Sequence, residues 1–153
     1  MKKLEARFYD AILEQDFMKN SLGTQLIHGC NETFYVLPPN FPELKCSDFA
    51  GWNKYAYVTP FDDDRVIIGV SADIPHVHRP LMAWHEKKEY QDDMPCTTVF
   101  SRELEEIRKW PVDQQRDYLQ ERTEFWQQLN RFIPSEAFYE NLVRCMAEYK
   151  RLG

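Results

Sequence analysis

Apolar residues recur at helical spacing in several parts of the chain. Over residues 3–20 they lie three or four positions apart, which predicts an amphipathic helix. We expect this helix to end before Gly23. Ser101 is predicted to cap a short helix, Pro111 to start a second and Ser135 to cap a last one. The helix after Pro111 carries a broad stripe formed by Tyr118, Leu119, Phe125, Trp126, Leu129, Phe132 and Ile133. We expect this stripe to face the core, because large aromatic rings bury most area there.

Between these helical regions the chain changes to short apolar and β-branched runs separated by turn residues. The runs predict four strands: Gln25–His28, Thr33–Leu37, Lys54–Thr59 and Arg65–Val70. Two connectors, residues 29–32 and residues 60–64, are rich in residues that favour tight turns. We therefore expect two hairpins in a small antiparallel sheet.

Strands come early and helices late, which favours an α+β fold over alternating βαβ units. We predict an N-terminal helix, an antiparallel sheet of about four strands, and C-terminal helices packed on one sheet face. The last predicted helix, which begins at Ser135, is expected to present Phe138, Leu142, Cys145, Tyr149 and Leu152 on one face, toward the core. A chain of 153 residues fits one domain, 1–153.

Glycine is scarce, and this excludes familiar nucleotide sites. The five glycines include no pair with the spacing of a G-x-G-x-x-G turn or a phosphate-binding loop. The net charge is -6, so we expect no generic nucleic-acid binding, which depends on cationic contacts to phosphates. No apolar run is long enough to span a membrane.

The four cysteines are scattered and contain no C-x-x-C motif. Together with an N-terminal segment that lacks the apolar run of a signal peptide, this predicts a cytoplasmic protein with free, mostly buried thiols. A nucleophilic role is the alternative for Cys30, which lies two residues from His28, and for Cys96, which precedes a predicted helix. Residues at this spacing in a turn seldom align for proton transfer, which disfavours that role for Cys30.

The densest polar chemistry lies between His76 and Glu89. If residues 80–91 are helical, His85 and Glu89 share one face, four residues apart, and both are ordinary zinc ligands. The string H-E-x-x-E differs by one residue from the H-E-x-x-H zinc-peptidase signature, in which the first glutamate is the general base. By this hypothesis His85 and Glu89 bind zinc and Glu86 activates water.

The third ligand of such a site is not specified, because several residues fit the role. The candidates are His76, His78, Cys96, Glu103 and Glu106. In an extended strand, His76 and His78 would point to the same side, whereas the flanking prolines favour an irregular segment. Arg79 is a candidate for binding a carboxylate or phosphate. The structural alternative is a partly exposed helix on which His85 simply hydrogen-bonds to a neighbour.

Two functions follow from these observations. The preferred hypothesis is a small protein that binds a protein partner as a regulatory or inhibitory module, through its acidic β region or an exposed aromatic patch. The alternative is a zinc-dependent hydrolase built on His85, Glu86 and Glu89. The first hypothesis predicts no focused metal site around His85, and the second predicts stoichiometric metal.

Overall fold

The computed structural model describes residues 14–41, 57–62 and 65–153. Contacts divide the chain into two compact units, Met1–Asp93 and Met94–Gly153. The described residues form helices and a mixed β-sheet, which confirms the α+β class. The organisation as one domain, and the packing of the C-terminal helices on the sheet, stay predictions.

The first unit contains the sheet. Its strands are β1 (Gly23–Leu26), β2 (Thr33–Leu37), β3 (Tyr57–Asp62) and β4 (Arg65–Ser71). They lie in the order β1-β2-β4-β3, with β1 antiparallel to β2 and β3 antiparallel to β4. The central pair, β2 and β4, is parallel. The prediction of a purely antiparallel sheet is therefore wrong.

The parallel pair results from the order in which the two hairpins are joined. If β3 lay beside β2, every neighbour would be antiparallel. Here β4 lies beside β2 and β3 lies at the edge, so two strands of the same direction become neighbours. The sequence indicates the hairpins through their local turns, but the strand order depends on the connection between β2 and β3, in which residues 42–56 lie outside the described residues.

The first predicted hairpin is confirmed. The amide of Cys30 donates to the carbonyl of Ile27 at 3.0 Å, and the amide of Ile27 donates to the carbonyl of Glu32 at 2.9 Å. Gly29 has a φ of 69°, in the left-handed region that favours glycine in such turns. The turn between β3 and β4 lies outside the described residues.

The core of the first unit forms on both faces of β4. Ile67, Ile68 and Val70 are all buried, as expected for a central strand covered on two sides. Residues 14–20 are helical and are called α1; they contribute Phe17, whose ring centroid lies 5.3 Å from that of Phe41. Helix α2 (Arg79–Tyr90) packs against β4, which confirms the predicted helix over 80–91.

The second unit contains the helices α3 (Cys96–Ile107), α4 (Val112–Phe132) and α5 (Glu136–Arg151). Ser135 is the N-cap of α5, since its hydroxyl accepts a hydrogen bond from the amide of Ala137 at 3.2 Å, as predicted. The prediction that Ser101 caps a helix is wrong, because α3 begins at Cys96 and Ser101 lies inside it. Starting the helix earlier places Val99 and Phe100 in the core one turn before Leu104.

Helix α4 carries most of the predicted aromatic stripe into the core. Tyr118, Leu119, Phe125 and Trp126 are buried, and Ile133, beyond the helix end, is exposed. None of the described helices is both long and apolar enough to cross a membrane.

Candidate functional site

Helix α2 brings together the first two residues of the predicted zinc site. The imidazole Nε2 of His85 lies 2.6 Å from a carboxylate oxygen of Glu89, one helical turn later. The side chain of His85 is 1% exposed and that of Glu89 is 24% exposed. The contact is the ordinary i, i+4 pairing of a helix, and it brings together two side chains of types that can bind zinc.

Glu86, the predicted general base, is partly buried and lies on the turn of α2 between these residues. The next residue, Lys87, is buried and its ammonium group lies 3.0 Å from the carboxylate of Glu32. This pair ties α2 to the loop after β1. The role of Glu86 stays a prediction.

His76 and His78 lie in a turn before α2 and not in an extended strand. His76 is exposed, and its imidazole Nε2 lies 3.4 Å from the side-chain amide nitrogen of Gln25. His78 is buried at the N-cap of α2, two turns before His85. The extended alternative, in which both imidazoles point to one side, is therefore not adopted.

The remaining candidate ligands belong to α3 in the second unit. The thiol of Cys96 accepts a hydrogen bond from the side-chain amide of Asn141 at 3.3 Å. Glu106 pairs with Lys109 at 3.0 Å. Glu103 is fully buried, and both of its carboxylate oxygens contact other side chains of the same unit. These contacts make Glu103 a poor candidate for a metal ligand.

Arg79 holds the end of the sheet to the start of α2. Its guanidinium donates to the carbonyls of Ile74 at 2.7 Å and Ala72 at 3.0 Å, and to the side chain of Gln25 at 3.2 Å. Burial lowers its pKa from the usual value. With its donors aimed at protein oxygens, Arg79 acts here as a structural residue, which disfavours the predicted anion site.

A buried ionic network lies inside the second unit and was not predicted from the sequence. Arg122 of α4 donates to both carboxylate oxygens of Glu103, at 2.8 and 3.0 Å, and the hydroxyl of Tyr118 donates to the same group at 2.7 Å. All three side chains are at most 1% exposed. The sequence feature that could have indicated this network is Arg122, an arginine that lies within the aromatic stripe four residues after Tyr118.

Electrostatics and aromatic rings both stabilise this network. Burial opposes the charged guanidinium, but the Glu103 carboxylate outweighs it and raises the pKa of Arg122 above its usual value. Burial is the main cause that raises the pKa of Tyr118. The guanidinium carbon of Arg122 also lies 5.1 Å from the ring centroid of Phe125 and 5.5 Å from that of Trp126.

The described cysteines are free thiols that differ in burial. Cys30 and Cys96 are partly buried, whereas Cys145 is buried and lies 3.3 Å from the hydroxyl of Thr123. Burial raises the pKa of Cys145 to about 12. A thiol that is protonated at neutral pH is a poor nucleophile, so Cys145 is not a catalytic candidate.

This shifted pKa predicts a loss of stability at alkaline pH. An unfolded cysteine ionises near pH 8.5, whereas folded Cys145 keeps its proton to about pH 12. The unfolded state therefore binds fewer protons between these values, and the free energy of unfolding falls as pH rises, by at most about 1.4 kcal/mol per pH unit. Urea unfolding at pH 8 and pH 10.5 should show a smaller fall for Cys145→Ala than for the wild type.

Cys30→Ala removes a partly buried thiol and is the control for loss of a cysteine. If the free energy of unfolding falls equally for the wild type and for Cys145→Ala between pH 8 and pH 10.5, the prediction is wrong.

Helix α5 has an unusual distribution of polarity. Its exposed positions include four large apolar side chains, 40–59% exposed: Tyr139, Val143, Met146 and Tyr149. Its buried positions hold residues with polar groups: Asn141, Cys145 and Glu148. The sequence prediction that Tyr149 faces the core is therefore wrong. We call the four exposed residues the α5 face.

A groove of about 580 Å³ lies between α4 and α5, next to the α5 face. Met146, Ala147 and Tyr149 line one side, and the polar residues Gln120 and Glu124 of α4 line the other. A large apolar area with a polar rim is typical of surfaces that bind other proteins.

No known protein family, curated protein or solved structure matches this chain.

Proposed function

We propose that this protein acts by binding a protein partner, as a regulatory or inhibitory module, and that the α5 face with its adjacent groove is the binding surface. The observation that supports the proposal is the 40–59% exposure of four large apolar side chains on one helix. Burying apolar side chains lowers the free energy of a protein in water. A partner that covers the α5 face would therefore be stabilised on it by the burial of these four side chains.

The residue types on the α5 face also suit binding. Tyrosine combines a large apolar ring with a hydroxyl that remains hydrogen-bonded at an interface rim, and methionine adapts its shape to different surfaces. Lys150 and Glu124 add charged groups to the edge of the groove. This combination of apolar centre and polar edge matches the general anatomy of protein interfaces.

The test compares partners of the wild type with those of a double variant, Val143→Lys with Met146→Lys. Two buried charges in an interface are expected to weaken binding at least tenfold. Proximity labelling in cells, followed by quantitative mass spectrometry, should therefore show specific partners that are lost from the double variant. Circular dichroism would establish that α5 remains helical.

Ile133→Lys is the matched control, since Ile133 is 39% exposed and lies outside the α5 face. It should keep the partners of the wild type. If the double variant labels the same proteins to the same extent as Ile133→Lys, the α5 face is not the binding surface and the proposal is wrong.

Zinc-dependent hydrolysis is the second candidate function. The observation that favours it is the 2.6 Å contact between His85 Nε2 and Glu89, in which two zinc ligands meet on one helix. In this hypothesis Glu86 is the general base, and a third protein ligand completes the coordination. A bound ion would add a Lewis acid and a nucleophilic water.

Elemental analysis and thermal unfolding with added zinc test this second function. Native-state binding would stabilise the protein by about 2.7 kcal/mol at a zinc concentration one hundred times Kd, and His85→Gln should abolish the effect. His28→Gln, a substitution at a partly buried histidine outside α2, is the control. Metal-free protein that gains no stability from zinc would exclude the hydrolase hypothesis.

A further inference from the structure

We infer that the partner of the α5 face is a second copy of this chain, with the two α5 helices packed antiparallel about a twofold axis. This inference rests on the proposed function, since it identifies the occupant of the same surface. Two features of α5 carry it: the order of residue types along the helix and the distribution of its charges. The area that the helix offers sets the expected strength of the pairing.

The order of apolar residues on α5 is nearly the same from either end. Tyr139 lies in the first turns and Tyr149 in the last, while Val143 and Met146 lie near the middle of the helix Glu136–Arg151. In an antiparallel pair, each Val143 would therefore lie near Met146 of the other copy, and tyrosines would cover both ends. A twofold interface requires this kind of self-complementary surface.

The charges of α5 are also arranged for antiparallel pairing. Glu136 lies in the first turn, and Lys150 and Arg151 lie in the last. An antiparallel pair places the acidic end of each helix beside the basic end of the other, whereas a parallel pair places like charges together. Within the part of the chain that the structure describes, neither Glu136 nor Lys150 forms an ion pair, so both are available for contacts between copies.

The size of the surface sets the expected strength. A helix of 16 residues is about 24 Å long, so one helix face buries less than the roughly 800 Å² per partner of a standard interface. We therefore expect a weak dimer that forms as the protein concentration rises through the micromolar range. The mass should approach twice 18.4 kDa.

Sedimentation equilibrium of the full chain, combined with a charge exchange, tests the inference. Lys150→Glu makes both ends of α5 acidic, and Glu136→Lys makes both ends basic. In a twofold pair each single variant has two repulsive contacts, and its self-association should weaken about tenfold or more. An equimolar mixture of the two variants restores opposite charges at both contacts, so it should associate about as strongly as the wild type.

Recovery in the mixture separates pairing between copies from an effect on helix stability, because a destabilised helix is not repaired by another destabilised chain. Val143→Lys with Met146→Lys should remain monomeric, and Ile133→Lys should dimerise like the wild type. A wild-type chain that stays at 18.4 kDa throughout, or variants that associate like the wild type, would overturn the inference.

The outcomes also distinguish this inference from the proposed function. Suppose that the chain is monomeric and that replacing Val143 and Met146 abolishes the labelling of a different protein. This result refutes self-pairing and supports the α5 face as a binding surface. A monomeric chain whose labelled proteins are unchanged by that replacement refutes both.

Discussion

Replacing Arg122 by methionine is expected to lower the free energy of unfolding by about 3–5 kcal/mol. Methionine is similar in length but leaves the fully buried carboxylate of Glu103 without its bidentate partner. The remaining hydrogen bond from Tyr118 does not offset the cost of a buried charge. Urea unfolding, followed by circular dichroism, measures the loss.

Arg116→Met is the matched control on the same helix. Arg116 pairs with Asp113 at 3.5 Å on the surface, and such pairs contribute at most about 1 kcal/mol. The double variant Glu103→Gln with Arg122→Met should be more stable than Arg122→Met alone, since glutamine carries no charge and still accepts from Tyr118. If Arg122→Met lowers the free energy of unfolding no more than Arg116→Met does, the buried network does not stabilise the fold.

Replacing Trp126 by alanine should cost a similar amount, about 3–5 kcal/mol, for a different reason. Trp126 is 1% exposed, and its ring centroid lies 4.8 Å from that of Phe125 and 5.3 Å from that of Phe100. Alanine would leave a cavity at a point where α3 and α4 meet, and it would remove one ring from around Arg122. The loss is measured from urea unfolding, together with a lower thermal midpoint.

Tyr139→Ala is the control for removal of an aromatic ring. Tyr139 is 59% exposed on α5, so its loss should change the stability of the monomer by no more than about 0.5 kcal/mol. This comparison should be made at protein concentrations below those at which the chain self-associates. A Trp126→Ala protein as stable as Tyr139→Ala would show that the packing of Trp126 against Phe100 and Phe125 does not stabilise the core.

Much of the local structure was predictable because its signals are local. The β-branched run of β2 was predicted with its observed bounds, and Ser135 was identified as the cap of α5. Caps and turns act through hydrogen bonds between residues a few positions apart. The prediction that Ser101 caps a helix was wrong because the burial of Val99 and Phe100 outweighs the preference of serine for an N-cap position.

Less of the candidate site was predictable. The pairing of His85 with Glu89 followed from helical spacing alone. Glu103 was predicted to be a candidate metal ligand. Its pairing with Arg122, 19 residues later, was not predicted. The exposure of Tyr149 was also missed, because helical periodicity shows that two faces exist but not which of them the neighbouring helix covers.

The sequence by itself determined the α+β class, the hairpin around Gly29, the helix that carries His85 and Glu89, and the scarcity of glycine that excludes phosphate-binding loops. Each of these depends on residue types or on spacings within one element. Only the tertiary structure decided the parallel pairing of β2 with β4, the burial of Glu103 with Arg122, and the exposure of the α5 face. The physical reason is that these features depend on which elements become neighbours, and that choice minimises the free energy of the assembled chain over many weak contacts.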